Sequence, residues 1–162
     1  MTLAVGWARE TDAEDLAHLL VEMDRYYRQP PLDPERALQA AAEWLARETS
    51  GSRHFALAHQ NGDIAGLASV AIAYPGGNLS RLMFLKDLFV LDAFRGNGIG
   101  HALMRFLAGY CREQGIGRID LTTERWNEGA LRLYHQLGAQ PQDQKVFLRF
   151  DAEALSKLAG TG

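Results

Sequence analysis

A strand-like apolar run, Leu82 to Leu91, leads into Arg95-Gly96-Asn97-Gly98-Ile99-Gly100, and a helical pattern opens directly behind it. Leu103, Phe106, Leu107 and Tyr110 then recur at helical spacing. A glycine-dense turn between a strand and a helix aims several backbone N–H groups at one point, where the helix dipole favours negative charge. Arg95 adds a positive side chain to that cradle. The spacing is G-x-G-x-G, so it is not the dinucleotide turn G-x-G-x-x-G. A P-loop would need G-K-[ST] where His101-Ala102 follow Gly100. With both familiar nucleotide loops excluded, a diphosphate is the natural guest. The plain alternative is a glycine-rich connection that binds nothing.

The remaining numbers frame that unit. A chain of 162 residues, 47% hydrophobic and 23% charged, suits one globular domain spanning 1–162. A net charge of −3 gives no reason to expect a nucleic-acid partner. The lone Cys111 allows no intramolecular disulfide and fits a reducing cytoplasm. No apolar run approaches a membrane span, and "MTLAVGWARETDAED" meets acidic residues too early for a signal peptide. The histidines show no metal-ligand spacing, so no metal is expected.

Along the chain, Leu3 to Ala8 reads as a short strand. Thr11 with Glu14 forms a capping-box pattern ahead of a helix carrying Leu16, Leu19, Leu20, Met23 and Tyr27 on one face. Asp33-Pro34 reads as the start of a second helix, with Leu38, Ala41, Trp44 and Leu45 inward and Ser50-Gly51 as its stop. "HFALAHQNGDIAGLASVAIAY" reads as a hairpin whose Asn61-Gly62 tolerates the positive φ angles of a type I′ turn. Arg118 to Glu124 reads as another strand, and Asn127 caps a helix that Gly138 closes. Lys145 to Phe150 reads as a last strand, followed by a short helix in "DAEALSKLA". The expected fold class is mixed α/β, a central sheet with helices on both faces.

Taken together these residues resemble the GNAT superfamily of acetyltransferases. Arg95 to Gly100 matches its R/Q-x-x-G-x-G/A signature. "LKDLFVLDAFRGNGIG", with Phe89 and Val90, looks like the strand and loop that bind acetyl-CoA, and "ERWNEGALRLYHQLGA" looks like the second signature. The motifs sit nearest the diamine (spermidine/spermine) N-acetyltransferases. The resemblance implies a mostly antiparallel mixed sheet splayed between two middle strands, acetyl-CoA as co-substrate, and a homodimer. It implies transfer of an acetyl group to a primary amine of a small molecule by direct attack. A protein or peptide N-acetyltransferase, and a non-catalytic CoA-binding or sensing domain, are the alternatives.

The resemblance also distributes roles. The diphosphate falls to the backbone of Arg95, Gly96, Asn97, Gly98, Ile99 and Gly100, and the pantetheine arm to Asn127. A backbone N–H near Val90 serves the thioester oxygen. Tyr134 stands where the family keeps its general acid, and Asp87 or Glu124 could take the ammonium proton. The first helix and its loop, with Glu22, Tyr26 and Tyr27, would wall the acceptor pocket. Each residue also has a bland reading: Tyr134, Tyr26 and Tyr27 as packing, Asn127 as a helix cap, Glu124 as a solvated charge, Cys111 as inert core. Lys86 departs from the diamine pattern, in which an acid commonly precedes the aspartate. A lysine there repels a polyammonium acceptor.

Overall fold

The computed structural model describes residues 1–49 and 52–160. Five strands form one sheet in sequence order: β1 Leu3–Trp7, β2 Phe55–Gln60, β3 Asp63–Ala73, β4 Arg81–Val90 and β5 Ile116–Leu121. The first four pair antiparallel and β5 pairs parallel to β4. Two helices precede β2, α1 Ala13–Tyr26 and α2 Pro34–Ala46. Helix α3, Ile99–Gln114, joins β4 to β5; α4, Glu128–Gln136, and α5, Ala152–Leu158, follow. A parallel pair needs such a crossover, which is why α3 lies between the only parallel neighbours among the described strands.

The core forms on both faces of the sheet. On one, Leu16, Leu19 and Met23 of α1 and Ala37, Ala41 and Leu45 of α2 pack on Leu57, Leu67 and Phe89. On the other, Ile99, Leu103, Leu107 and Cys111 of α3, with Tyr134 of α4, pack on Ala68, Val70, Met83 and Leu85. Leu103 is fully enclosed, so Leu103→Ala should cost about 2–5 kcal/mol, read as a lower urea midpoint.

Local signals hold where backbone chemistry is decisive. Asn61 and Gly62 both take positive φ, 54° and 92°, as the hairpin turn requires. Asp33 accepts from the Glu35 N–H at 3.2 Å with Pro34 in the first turn of α2. Four expectations change. The start of α1 is not capped by Thr11 and Glu14; Asp12 accepts from the Arg9 N–H at 2.7 Å and binds its guanidinium. The buried stripe of α2 is Ala37-Ala41-Leu45, leaving Leu38 and Trp44 exposed. Strand β5 ends at Leu121, so Glu124 sits in the following loop. Residues 145–150 join no strand. The stop expected at Ser50-Gly51 lies outside the described residues.

Two irregularities shape the middle of the sheet. Ser69 pairs with Asp87 and Val70 with Leu85, so Lys86 is an extra, unpaired residue in β4. Side chains alternate along a strand, so without this bulge Asp87 would share Leu85's face and point into the α3 core. The bulge turns Asp87 onto the α1/α2 face, beside Ser69. Pairing between β4 and β5 also stops at Leu85–Leu121, and the rest of β4 has no strand partner on that side among the described residues. A splay opens there.

Candidate active site

Two cavities, each about 880 Å³, approach β4 around this splay. The first is lined by Leu88–Val90, the glycine turn with the start of α3, Tyr26 and Tyr27 from the end of α1, and Trp126 to Ala130 with Arg132 and Leu133 at α4. The second runs between α1, α2 and the sheet, and includes Ser69, Lys86 and Asp87. Residues 87 and 88 are adjacent in the chain but line different cavities, so the two spaces approach one another across β4 at this point.

The glycine turn is a backbone cradle. Gly96 and Gly98 have φ of 81° and 77°, and Gly98 caps the N-terminus of α3. A Cβ added at either would meet no protein atom within 4 Å. The space above the turn is therefore open to a ligand that the N–H groups of the first helical turn can hold. Arg95 is otherwise engaged than its sequence position suggests. Its guanidinium pairs with Asp92 at 2.6 Å, donates to the Val90 carbonyl at 3.0 Å and lies 4.5 Å from the centre of the Tyr26 ring. Asn97 donates its side-chain amide to Gln60 at 3.1 Å, leaving its backbone to the turn.

The splay frees backbone groups as well. The Leu91 N–H is bonded to Ala65 of β3. Successive residues of a strand point their N–H and C=O groups to opposite edges. The Val90 N–H therefore faces the cleft, the same side on which its carbonyl receives Arg95.

Ionisable groups gather below. Ser69 Oγ donates to Asp87 Oδ2 at 2.5 Å, and Lys86 Nζ lies 3.2 Å from the same oxygen. Tyr134 is buried, and desolvation, with the nearby Tyr27 and Asp87 charges, pushes its phenol up to about 12. Its proton is therefore retained at any physiological pH. Burial also raises Tyr27, whose hydroxyl lies against Asn127 and feels Asp87 and Glu124. Asn127 accepts from the Ala130 N–H at 3.2 Å and so caps α4 as well.

Most of the expected residues divide between the two spaces, while Tyr134, buried in the α3-face core, and Asn97 line neither. Phe89, Val90, Arg95, Gly96, Gly98, Ile99, Gly100, Asn127, Tyr26 and Tyr27 line the first, and Lys86 and Asp87 the second. Tyr26 and Tyr27 were expected at the acceptor; the structure puts them beside the glycine turn, where both rings contact Trp126. Glu22 lines neither cavity and is held by Arg25 at 2.7 Å. Glu124 is exposed and lines neither cavity. Cys111 is buried, its thiol pushed up by burial, and lines neither space. Sequence reasoning missed Ser69, whose meeting with Asp87 depends on cross-strand register, and Trp126, which stood unassigned in "ERWNEGA". Among the described residues no group of three or more His, Cys, Asp or Glu could hold a metal ion. No described helix is long and apolar enough to cross a membrane.

Known proteins resemble this chain in sequence and in fold. A sequence model of the acetyltransferase (GNAT) family matches residues 6–139. The uncharacterised N-acetyltransferase YhfO of Bacillus subtilis (strain 168) is 30% identical over 132 residues, 81% of this chain and 85% of its own length. Mouse thialysine N-epsilon-acetyltransferase is 34% identical over 83 residues, 49% of each chain, so the match spans about half of that relative's length. Among solved structures, the integron cassette protein VCH_CASS6 from the mobile metagenome of V. cholerae superposes with a TM-score of 0.81 at 31% identity, covering 99% of both chains.

Proposed function

The chain belongs to the acetyltransferase (GNAT) family, and we propose that it carries an acetyl group from acetyl-CoA to the primary amine of a small molecule by direct attack in a ternary complex. The observation that carries this reading is the approach of two cavities to one point of β4. One is entered past a diphosphate-type cradle and the other ends on a carboxylate. The residues present suit acetyl-CoA: an unfilled glycine turn, a cleft-facing Val90 N–H, and a buried phenol kept protonated.

Acetyl-CoA, when bound, supplies a thioester whose carbonyl carbon the amine nitrogen attacks. The N–H groups from Gly96 to Gly100 hold the diphosphate, and Asn127 flanks the pantetheine arm. The Val90 N–H donates to the carbonyl oxygen as charge builds there. Asp87, oriented by Ser69, takes the ammonium proton, with the exposed Glu124 as a second acid. Tyr134 gives its proton to sulfur as the C–S bond breaks, and the proton that the attacking nitrogen sheds on becoming an amide replaces it through solvent. Lys86 already neutralises part of Asp87's charge, so a polyammonium acceptor is disfavoured beside it. A small amine acceptor accords with the thialysine named for the mouse relative. We extend the reading to a cytoplasmic homodimer of single-domain chains, on the family resemblance and the lone reduced cysteine.

The test is free-thiol release from acetyl-CoA with a panel of polyamines, amino acids, aminoglycosides and peptides. Turnover on a small amine is expected. Tight CoA binding without turnover on any acceptor would make the chain a non-catalytic binder, and turnover on peptides alone would move the acceptor class. The cradle is tested separately by Gly98→Asn. Asparagine tolerates positive φ better than other side chains, so the fold survives. Its side chain enters the space left for the diphosphate, and acetyl-CoA affinity should fall at least ~10-fold, about 1.4 kcal/mol. Unchanged affinity by calorimetry, with a native circular dichroism spectrum, would remove the cradle.

A further inference from the structure

The second cavity holds more than proton transfer from an amine requires. Ser69 and Asp87 lie on its floor, and one stripe of α2 forms its roof: Arg36, Ala40, Trp44 and Arg47 at the end of the helix. Those positions recur at helical spacing, so they share a face. The space between is apolar. Leu20 and Met23 of α1 and Phe84 of β4 line it. Trp44 is exposed there and stacks on Phe55, ring centres 5.9 Å apart and planes 16° from parallel. Such a wall suits a hydrocarbon body with polar groups at defined points.

Charge is unevenly matched along the stripe. Lys86, which also lines the cavity, is bound to Asp87. Neither Arg36 nor Arg47 has a carboxylate within 4.0 Å among the described residues. Arg36 has acids around it: Asp33 lies at the start of its helix, and both Asp24 and Asp33 line the same space. At the other end, the neighbouring acid is turned away. The Glu48 side chain is 4% exposed, accepts from the His54 N–H at 2.6 Å and lies 3.3 Å from His54 Nδ1. Arg47 is therefore the unmatched cation of the wall, and a guanidinium fork fits a carboxylate through two parallel hydrogen bonds.

Register sets the spacing. Phe55 pairs with Ser69, and Ser69 with Asp87. The aromatic wall thus starts two strand spacings, roughly 10 Å, from the carboxylate that takes the amine. Arg47 lies about one helical turn beyond Trp44.

We infer that the acceptor is an amino carboxylate: its primary amine meets Asp87, its hydrocarbon body lies along Trp44 and Phe55, and Arg47 holds its carboxylate. A polyamine or an aminoglycoside would bring further cations to Arg47, where they are repelled. This inference rests on the acetyl-transfer reading above and names the acceptor class of that same site.

The experiment measures kcat/KM by free-thiol release for straight-chain ω-amino acids of increasing length. Each is compared with the n-alkylamine and the diamine of equal length, in the wild type, Arg47→Gln, Arg47→Lys and Arg36→Gln. Arg47 is exposed, so its substitutions should leave the fold intact, as thermal midpoints will check. The wild type should prefer the amino acid over the alkylamine by ~10-fold or more at one best length. That preference should collapse in Arg47→Gln, chiefly through KM, return in part in Arg47→Lys, and persist in Arg36→Gln. Calorimetry without acetyl-CoA gives a reading independent of turnover: the best amino acid should bind the wild type more tightly than Arg47→Gln. Alkylamines or diamines used as well as amino acids, a preference that survives Arg47→Gln, or equal binding to both proteins overturns the carboxylate site and leaves acetyl transfer standing. No turnover with any amine overturns both.

Discussion

Tyr134→Phe should lower the turnover number by about 10²–10⁴-fold, the range typical of a lost general acid, with little change in acetyl-CoA affinity. Phenylalanine keeps the ring in its place among the α3-face core residues, so the substitution isolates the hydroxyl. The affinity is spared because the proton matters only once sulfur gains charge, and an interaction made only in the transition state appears in kcat. A thioester with a more acidic thiol should lose less, since a better leaving group needs less help. The pH profile gives a second reading. An ordinary tyrosine loses its proton near ~10, but burial pushes Tyr134 up to about 12. The donor therefore remains protonated as pH rises through 10, and wild-type activity should show no alkaline decline from this group there. Wild-type turnover in Tyr134→Phe, with chemistry shown to be rate-limiting, would reduce Tyr134 to a packing residue.

Asp87→Asn should cut kcat/KM by roughly 10²-fold at neutral pH, the lower end of the range for a lost general base. Asparagine can still accept from Ser69 Oγ, so the local geometry is kept while charge and basicity go. An alkylammonium acceptor has a pKa near ~10.4, so the fraction already deprotonated grows with pH. The defect should therefore shrink as pH rises, because a neutral amine needs no base. Lys86→Gln should have a much smaller effect on turnover, since Lys86 is exposed and only flanks the carboxylate. Loss of activity in Lys86→Gln with a fully active Asp87→Asn would reverse the two roles.

The site was legible in the sequence to unequal depth. The glycine turn, Asn127 and Tyr134 lie in two contiguous motifs, each read within a few residues of chain. The partition of the remaining residues was not legible. Tyr26 and Tyr27, assigned to the acceptor, stand beside the glycine turn because α1 ends there and the aromatic contacts to Trp126 hold both rings. Arg95, assigned to the anion, is held at Asp92, Val90 and Tyr26, contacts that no local pattern reveals. Glu22 lay on the right helix but is held by Arg25, one turn on.

What the sequence determined alone was whatever a few neighbouring residues decide: the Asn61-Gly62 turn, the Asp33-Pro34 helix start, the glycine entry to α3, and the periodic faces of α1 and α3. These depend on backbone conformational preference, which acts over one turn. What the tertiary structure decided depends on pairing between distant segments. One extra residue at Lys86 in the β3–β4 register turns Asp87 away from the α3 core and onto Ser69. The early end of the β4–β5 ladder opens the cleft that Val90 faces. The arm at residues 145–150 has the composition of a strand but forms none in this chain. A strand is stable only with a partner edge to satisfy its backbone, and residues 145–150 meet none among the described residues.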